Sequence, residues 1–104
     1  MSVSPDYLAA MRRAVRRSEG NPEVDAELTE LVEEARADLA AAGVAKQKAE
    51  DEDDPLIKGA VRCFVRWKFG LANDEAQPNA EDYTSLKDML RKTGGYKEGE
   101  DAVQ

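Results

Sequence analysis

The chain has 104 residues and 36% of them are charged, which is one domain's length with enough apolar residues for one modest core. Its net charge of −7 argues against independent binding to nucleic acid, which needs a clustered cationic surface, and no apolar run approaches the length of a membrane span. There is no histidine and a single cysteine, Cys63, so we predict no catalytic residues, no metal, no cofactor and no enzyme activity.

The first predicted helix begins at Ser4 as the N-cap and Pro5 as the first helical residue. Apolar residues share one face, and the other face carries Arg12, Arg13, Arg16 and Arg17. Four arginines suit the negative end of a helix dipole. Alternatively, they form a patch that docks on an acidic surface of a neighbouring subunit or partner, with a DNA-contacting arm as the weaker interpretation.

The second predicted helix begins at Asn21-Pro22 and stops at Gly43. Its apolar stripe covers only about 100° of arc, which is typical of an outer helix packed along one seam. The remaining surface is acidic and includes Glu27, Glu30, Glu33, Glu34 and Asp38. This face is either simply solvated, or its field repels DNA or receives the arginines of a neighbour. Residues 44–53 follow as a charged connection with no apolar period, which is long enough to be mobile.

The third predicted helix, over about residues 55–70, begins at Asp54-Pro55 and is the centre of the fold. Apolar residues occupy half of its circumference or more, so neighbours should pack on several sides: Leu56, Ile57, Ala60, Val61, Cys63, Phe64, Val65 and Trp67. The rest is a narrow basic stripe of Lys58, Arg62 and Arg66, with Phe69 beside it.

After a turn-rich loop over residues 70–79, Asn79 is predicted to cap a last helix that runs to about Arg91. The sequence therefore predicts an all-α fold of about four helices, with one helical domain over residues 1–93 and a flexible, disordered tail over 94–104. The predicted core consists of Leu28, Leu31, Val32, Leu39, Ile57, Val61, Phe64, Trp67, Tyr83, Leu86 and Leu90.

Three blocks in this order resemble the small head–tail connector, or DNA-packaging adaptor, proteins of tailed bacteriophages. The blocks are LTELVEEARADLAAAGV, DPLIKGAVRCFVRWKFG and the ED-Y-TSLKDML run from Glu81 to Leu90. The resemblance implies a mostly helical virion protein that is made in the host cytoplasm and has no enzymatic chemistry. It implies assembly as a homo-oligomeric ring, twelve-fold on the portal protein, at the head–tail junction. The ring extends the DNA channel without sequence-specific binding and is a platform for a tail-completion or stopper protein.

Within such a ring, the acids of the second helix are candidates to face the channel: Glu27, Glu30, Glu33, Glu34 and Asp38. The candidates for a subunit or portal interface are Arg12, Arg13, Arg16, Arg17, Lys58, Arg62, Arg66, Phe69, Tyr96 and Lys97. Tyr96 and Lys97 lie in the predicted tail, which would fold on binding the portal.

A small acidic regulatory module that sequesters a basic protein partner is the alternative function. The net acidity, the predicted tail and the lack of catalytic residue types fit that alternative equally well. Only the ordered three-block pattern favours the connector.

Overall fold

The computed structural model of the protein describes residues 3–70 and 76–97. In these ranges the chain forms helices α1 (Pro5–Ala14), α2 (Pro22–Ala41), α3 (Lys46–Ala49), α4 (Pro55–Lys68) and α5 (Ala76–Lys92). The only β-type pairing among the described residues is an isolated antiparallel bridge between Val44 and Lys97. The all-α prediction is confirmed. None of the helices described is long and apolar enough to cross a membrane.

Three of the helices begin where a capping residue precedes a proline, as predicted. The side chains of Ser4, Asn21 and Asp54 each accept a hydrogen bond from a backbone N–H in the first turn of α1, α2 and α4. The proline that follows each cap has no N–H to leave unpaired and already has a helical φ. These starts are therefore encoded locally.

Helix α4 is the centre of the fold and packs against α5, α2 and α1, with its largest contact on α5. It buries Ile57, Ala60, Val61, Phe64 and Val65. This face is narrower than predicted, because Leu56 lies about 100° around the helix from Ile57 and is 42% exposed.

Most of the predicted core is buried, but two of its members lie at its edge. Trp67 and Leu86 are only partly buried and pack against the core from outside. The Trp67 ring is 5.6 Å from that of Phe64 and 6.2 Å from that of Tyr83. Trp67 therefore covers an aromatic cluster instead of forming its centre.

Helix α5 begins at Ala76, so the prediction that Asn79 caps it is wrong. Asn79 is buried within the first turns of the helix. Pro78 is compatible with this earlier start because the N–H groups of the first turn have no intrahelical acceptor. The remainder of the predicted loop, residues 71–75, lies outside the described part of the chain.

Helix α1 is shorter than predicted, which changes the arrangement of its arginines. It ends at Ala14, and Arg16 adopts a left-handed backbone with φ of 60°. Backbone bonds from Arg16 to Arg13 and from Arg17 to Arg12 close the end of the helix. Arg16 and Arg17 therefore lie in the turn that follows, and the prediction of one helical face with four arginines is wrong.

The connection over residues 44–53 is ordered, although its length would also allow it to be mobile. Three of its own residues, Val44, Ala45 and Ala49, are buried, although so few small apolar residues give no periodic signal. Glu52 accepts hydrogen bonds from the Ser4 backbone N–H at 3.1 Å, from the Ser4 hydroxyl and from Arg36 Nη2 at 3.1 Å. Partners this distant in sequence hold the connection in place.

The segment after α5 is also held against this connection. The Ala45 N–H donates to the Tyr96 carbonyl at 2.7 Å, and the Tyr96 hydroxyl donates to Asp54 Oδ2 at 2.7 Å. Tyr96 and Lys97, which the sequence assigns to the flexible tail, are therefore packed on the fold. Of the rest of the predicted tail, residues 94 and 95 form the turn before Tyr96, and residues 98–104 lie outside the described residues.

Candidate interaction surfaces

The outer side of α2 is an acidic face, formed by Glu23, Glu27, Glu30, Glu33 and Glu34. It lies on the reverse of the side that buries Leu28, Val32 and Leu39. Four of the five predicted channel-facing acids are exposed there. Within the described residues, Glu30 and Glu33 form no ion pair, whereas Glu34 lies 3.9 Å from Lys68 Nζ.

Asp38, the fifth predicted channel-facing acid, is engaged within the fold. Its Oδ2 accepts hydrogen bonds from the Tyr83 hydroxyl at 2.6 Å and from Lys87 Nζ at 3.0 Å. Partial burial raises the pKa of Asp38, but the bonds from Tyr83 and Lys87 outweigh it and leave this pKa below its ordinary value. The pKa of Tyr83 is raised, mainly by burial and further by the hydrogen bond to Asp38. Asp38 therefore joins α2 to α5.

An open groove of about 620 Å³ lies at the start of the acidic face. Its lining combines small apolar and polar residues with two acids: Gly20, Pro22, Asp25, Ala26, Thr29 and Glu30. Asp25 pairs with Arg12 Nη1 at 2.9 Å. This groove was not predicted, and its only local signal in the sequence is the i, i+4 spacing of Pro22, Ala26 and Glu30 on the outer side of the helix.

The predicted arginine patch is divided by contacts inside the fold. The side chain of Arg12 is only 13% exposed and pairs with Asp25. The Arg17 guanidinium lies over the Phe69 ring, 5.5 Å from its centroid. Arg13 and Arg16 are exposed. Only these two of the four arginines are presented to a partner without breaking an internal contact.

The basic stripe of α4 divides in a similar way. Lys58 Nζ lies 5.8 Å from the centroid of Tyr7 on α1. Arg62 is exposed, and Arg66 is partly buried. These two arginines lie more than about 100° around α4 from Lys68, which is beside Glu34 of α2. The arginines therefore lie on the side of α4 that is turned away from α2.

Between α1 and α5, α4 presents an outer surface that we call the α4 strip, formed by Leu56, Gly59, Arg62, Cys63 and Arg66. Lys58 over Tyr7 marks its α1 border. Asp82 of α5 marks the other border, because its charge is felt by Cys63. Burial raises the pKa of the Cys63 thiol most, and the negative charge of Asp82 raises it further. The strip and the acidic face therefore lie on opposite sides of the molecule.

The large hydrophobic residues that the described chain exposes are Leu56 on α4, at 42%, and Met89 on α5, at 39%. The bond between Tyr96 and Asp54 brings the end of α5 to the start of α4, so the two helices are antiparallel. Leu56 and Met89 therefore lie toward the same end of the α4–α5 pair. Leu56 was predicted to lie on the apolar, packed part of α4, and its exposure differs from that prediction.

No protein-family model, no curated protein and no solved structure matches this chain. The family resemblance of the three sequence blocks therefore remains a prediction. Any function proposed for this chain therefore has to be argued from its own residues and from their arrangement in the fold.

Proposed function

We propose that this protein is a structural subunit of a bacteriophage head–tail connector, which assembles as a ring on the portal and extends the DNA channel. The observation that carries the proposal is the separation of charge: the acidic face and the arginines of the α4 strip lie on opposite sides of one small domain. A ring subunit contacts its two neighbours through two different faces. Opposite charges on those faces favour one register of assembly.

The placement of the three resembling blocks also supports this proposal. The blocks correspond to α2, α4 and most of α5, and these three helices form the packed body of the fold. The proposed role needs no catalytic centre. The carboxyl groups with a lowered pKa have structural partners, as when Asp54 caps α4 and Glu52 binds Ser4 and Arg36.

The direct test is negative-stain electron microscopy of DNA-filled heads that contain a portal, with and without the purified protein. The proposal expects added ring density at the portal vertex in the presence of the protein. Heads that lack a portal are the control and should remain unchanged. If the portal vertices stay bare even at protein concentrations well above those at which ring subunits ordinarily assemble, the connector function is contradicted.

A regulatory module that sequesters a basic protein remains the second candidate, and the open groove beside Glu30 favours it. A basic segment of another protein would fit the rim charge and the small side chains of that groove. This function uses only the α2 side of the molecule. It therefore predicts that replacing Arg62 has no effect on activity, whereas a ring needs both sides.

A further inference from the structure

We infer that the α4 strip of one copy docks in the groove on the acidic face of a second copy. This inference rests on the proposed ring function and names the two surfaces that meet within it. The occupant is a second copy of this chain because the same fold supplies both complementary surfaces, one on each side. When two copies join through unlike faces, the pair still has one free acidic face at one end and one free α4 strip at the other. Further copies can therefore add at both ends.

Charge is the first reason for this pairing. Glu30 at the groove and Glu33 beside it are exposed and have no ion pair within the described part of the chain. Arg62 is the exposed cation at the centre of the α4 strip. Opposite charges at the rim of a contact steer the two partners and fix their register.

Apolar surface is the second reason, because an exposed apolar side chain on one surface meets a shallow, open groove with apolar lining on the other. Leu56 is 42% exposed at the start of α4, so its side chain is available to a partner. The groove provides Pro22, Ala26 and Thr29, whose small side chains leave room for it. Burial of an exposed apolar side chain at the centre of a contact is a common source of binding energy.

The spacing along the two helices is consistent with both contacts forming together. Leu56 and Arg62 are separated by about 9 Å along α4 at 1.5 Å per residue. On α2, Ala26 and Glu33 are separated by about 10 Å by the same rise. If Leu56 lies over Ala26 and the two helices run parallel, Arg62 therefore lies at the level of Glu30 and Glu33, on the flank of α4 about 120° around from Leu56.

The arginines of α1 are not required for this contact. Arg12 already pairs with Asp25 at one side of the groove, and Arg17 lies over Phe69. Of the predicted interface candidates, the inference therefore assigns the subunit contact to those on α4.

The test uses two charge reversals, Arg62→Glu and Glu30→Arg, measured alone and as an equimolar mixture. Each variant alone brings like charges together, so the concentration for half-maximal assembly should rise at least about tenfold. In the mixture, the two reversed positions face each other and the two unreversed positions face each other. Assembly should then return to within about threefold of the wild type, as alternating rings.

Lys92→Glu and Glu81→Arg are the matched controls, because they make the same charge changes at exposed positions of α5. Both controls should assemble like the wild type. Leu56→Ser should weaken assembly without altering helicity by circular dichroism. Assembly is followed by sedimentation velocity in free solution and by electron microscopy on portal-containing heads.

Two results would overturn the inference: single reversals that assemble like the wild type, or a mixture that remains as impaired as its components. If either result is found and the wild-type protein still gives ring density at the portal, the connector function is not contradicted. Conversely, charge-dependent assembly and rescue in free solution, with bare portal vertices, would support the contact and contradict the connector function. A wild type that assembles in neither setting would contradict both.

Discussion

The α4–α5 pair and the connection over residues 44–53, with the Asp54 cap that follows it, are both ordered, but different kinds of contact hold them. The helix pair buries large apolar side chains, including Ile57, Phe64 and Leu90. The connection contributes only small apolar side chains to the core, and the carboxylates of Glu52 and Asp54 bind the chain before α1 and after α5. A charged segment without periodicity can therefore be ordered by hydrogen bonds to distant residues.

This difference has energetic consequences. Burial of large side chains gives the helix pair a stabilisation that is nearly independent of pH. The connection depends on ionised acceptors, and its contacts each contribute less because part of each group remains in water. The two regions should therefore respond differently to substitution and to acid.

The largest effect is expected at the aromatic cluster of the helix pair. Phe64→Ala should lower the free energy of unfolding by about 3–5 kcal/mol, because the ring is buried and also contacts the rings of Trp67 and Tyr83. Urea denaturation followed by circular dichroism measures the loss. Leu56→Ala on the same helix is the control and should cost less than about 0.5 kcal/mol, since Leu56 is exposed. Equal losses would contradict the assigned α4 faces.

A smaller effect is expected where the connection meets α2. Arg36→Met keeps an apolar stem but removes the hydrogen bond to Glu52 and the cation that lies 5.3 Å from the Tyr7 ring. We expect a loss of about 1.5–3 kcal/mol, the range for hydrogen bonds to charged groups. Lys46→Met removes a cation from an exposed position of α3 and should change stability by less than about 0.5 kcal/mol. Stability that is unchanged in Arg36→Met would mean that Glu52 does not anchor the connection.

Acid should weaken the connection by a smaller amount than Arg36→Met does. Partial burial raises the pKa of Glu52, but the bonds from Ser4 and Arg36 outweigh it and hold this pKa below 4.5. A lowered pKa in the folded state means that Glu52 contributes its stabilisation fully above pH 4.5 and loses it as the pH falls further. Denaturation midpoints between neutral and acidic pH measure this loss. Glu52→Gln should flatten the dependence, and an unchanged slope would contradict the assignment.

The smallest effect is expected at the segment after α5. Tyr96→Phe removes the hydroxyl bond to Asp54, which raises the pKa of Tyr96 to about 12, and should cost about 1 kcal/mol. The Ala45 N–H, which donates to the Tyr96 carbonyl, should exchange with solvent about fivefold faster. Lys97→Ala is the control, because the pairing of Lys97 with Val44 uses the backbone alone. Unchanged Ala45 exchange in Tyr96→Phe would mean that the hydroxyl does not fasten this segment.

The sequence by itself determined the features that depend on neighbouring residues. Three helices are capped by Ser4, Asn21 and Asp54. Each of these residues directly precedes a proline, and its side chain accepts a hydrogen bond from a backbone N–H two or three residues further on. The apolar period of α2 fixed which of its sides is acidic and exposed. The all-α fold and the central position of α4 follow from the same local rules.

Only the tertiary structure decided which charged groups are engaged within the fold. Asp38 and Glu30 share one helix and one sequence pattern, yet Asp38 binds Tyr83, which is 45 residues away, and Glu30 remains exposed. Likewise, Glu52 binds Ser4 from 48 residues away. Local periodicity identifies the side of a helix on which a residue lies. Its partner depends on how the helices pack, which brings residues distant in sequence within hydrogen-bonding distance.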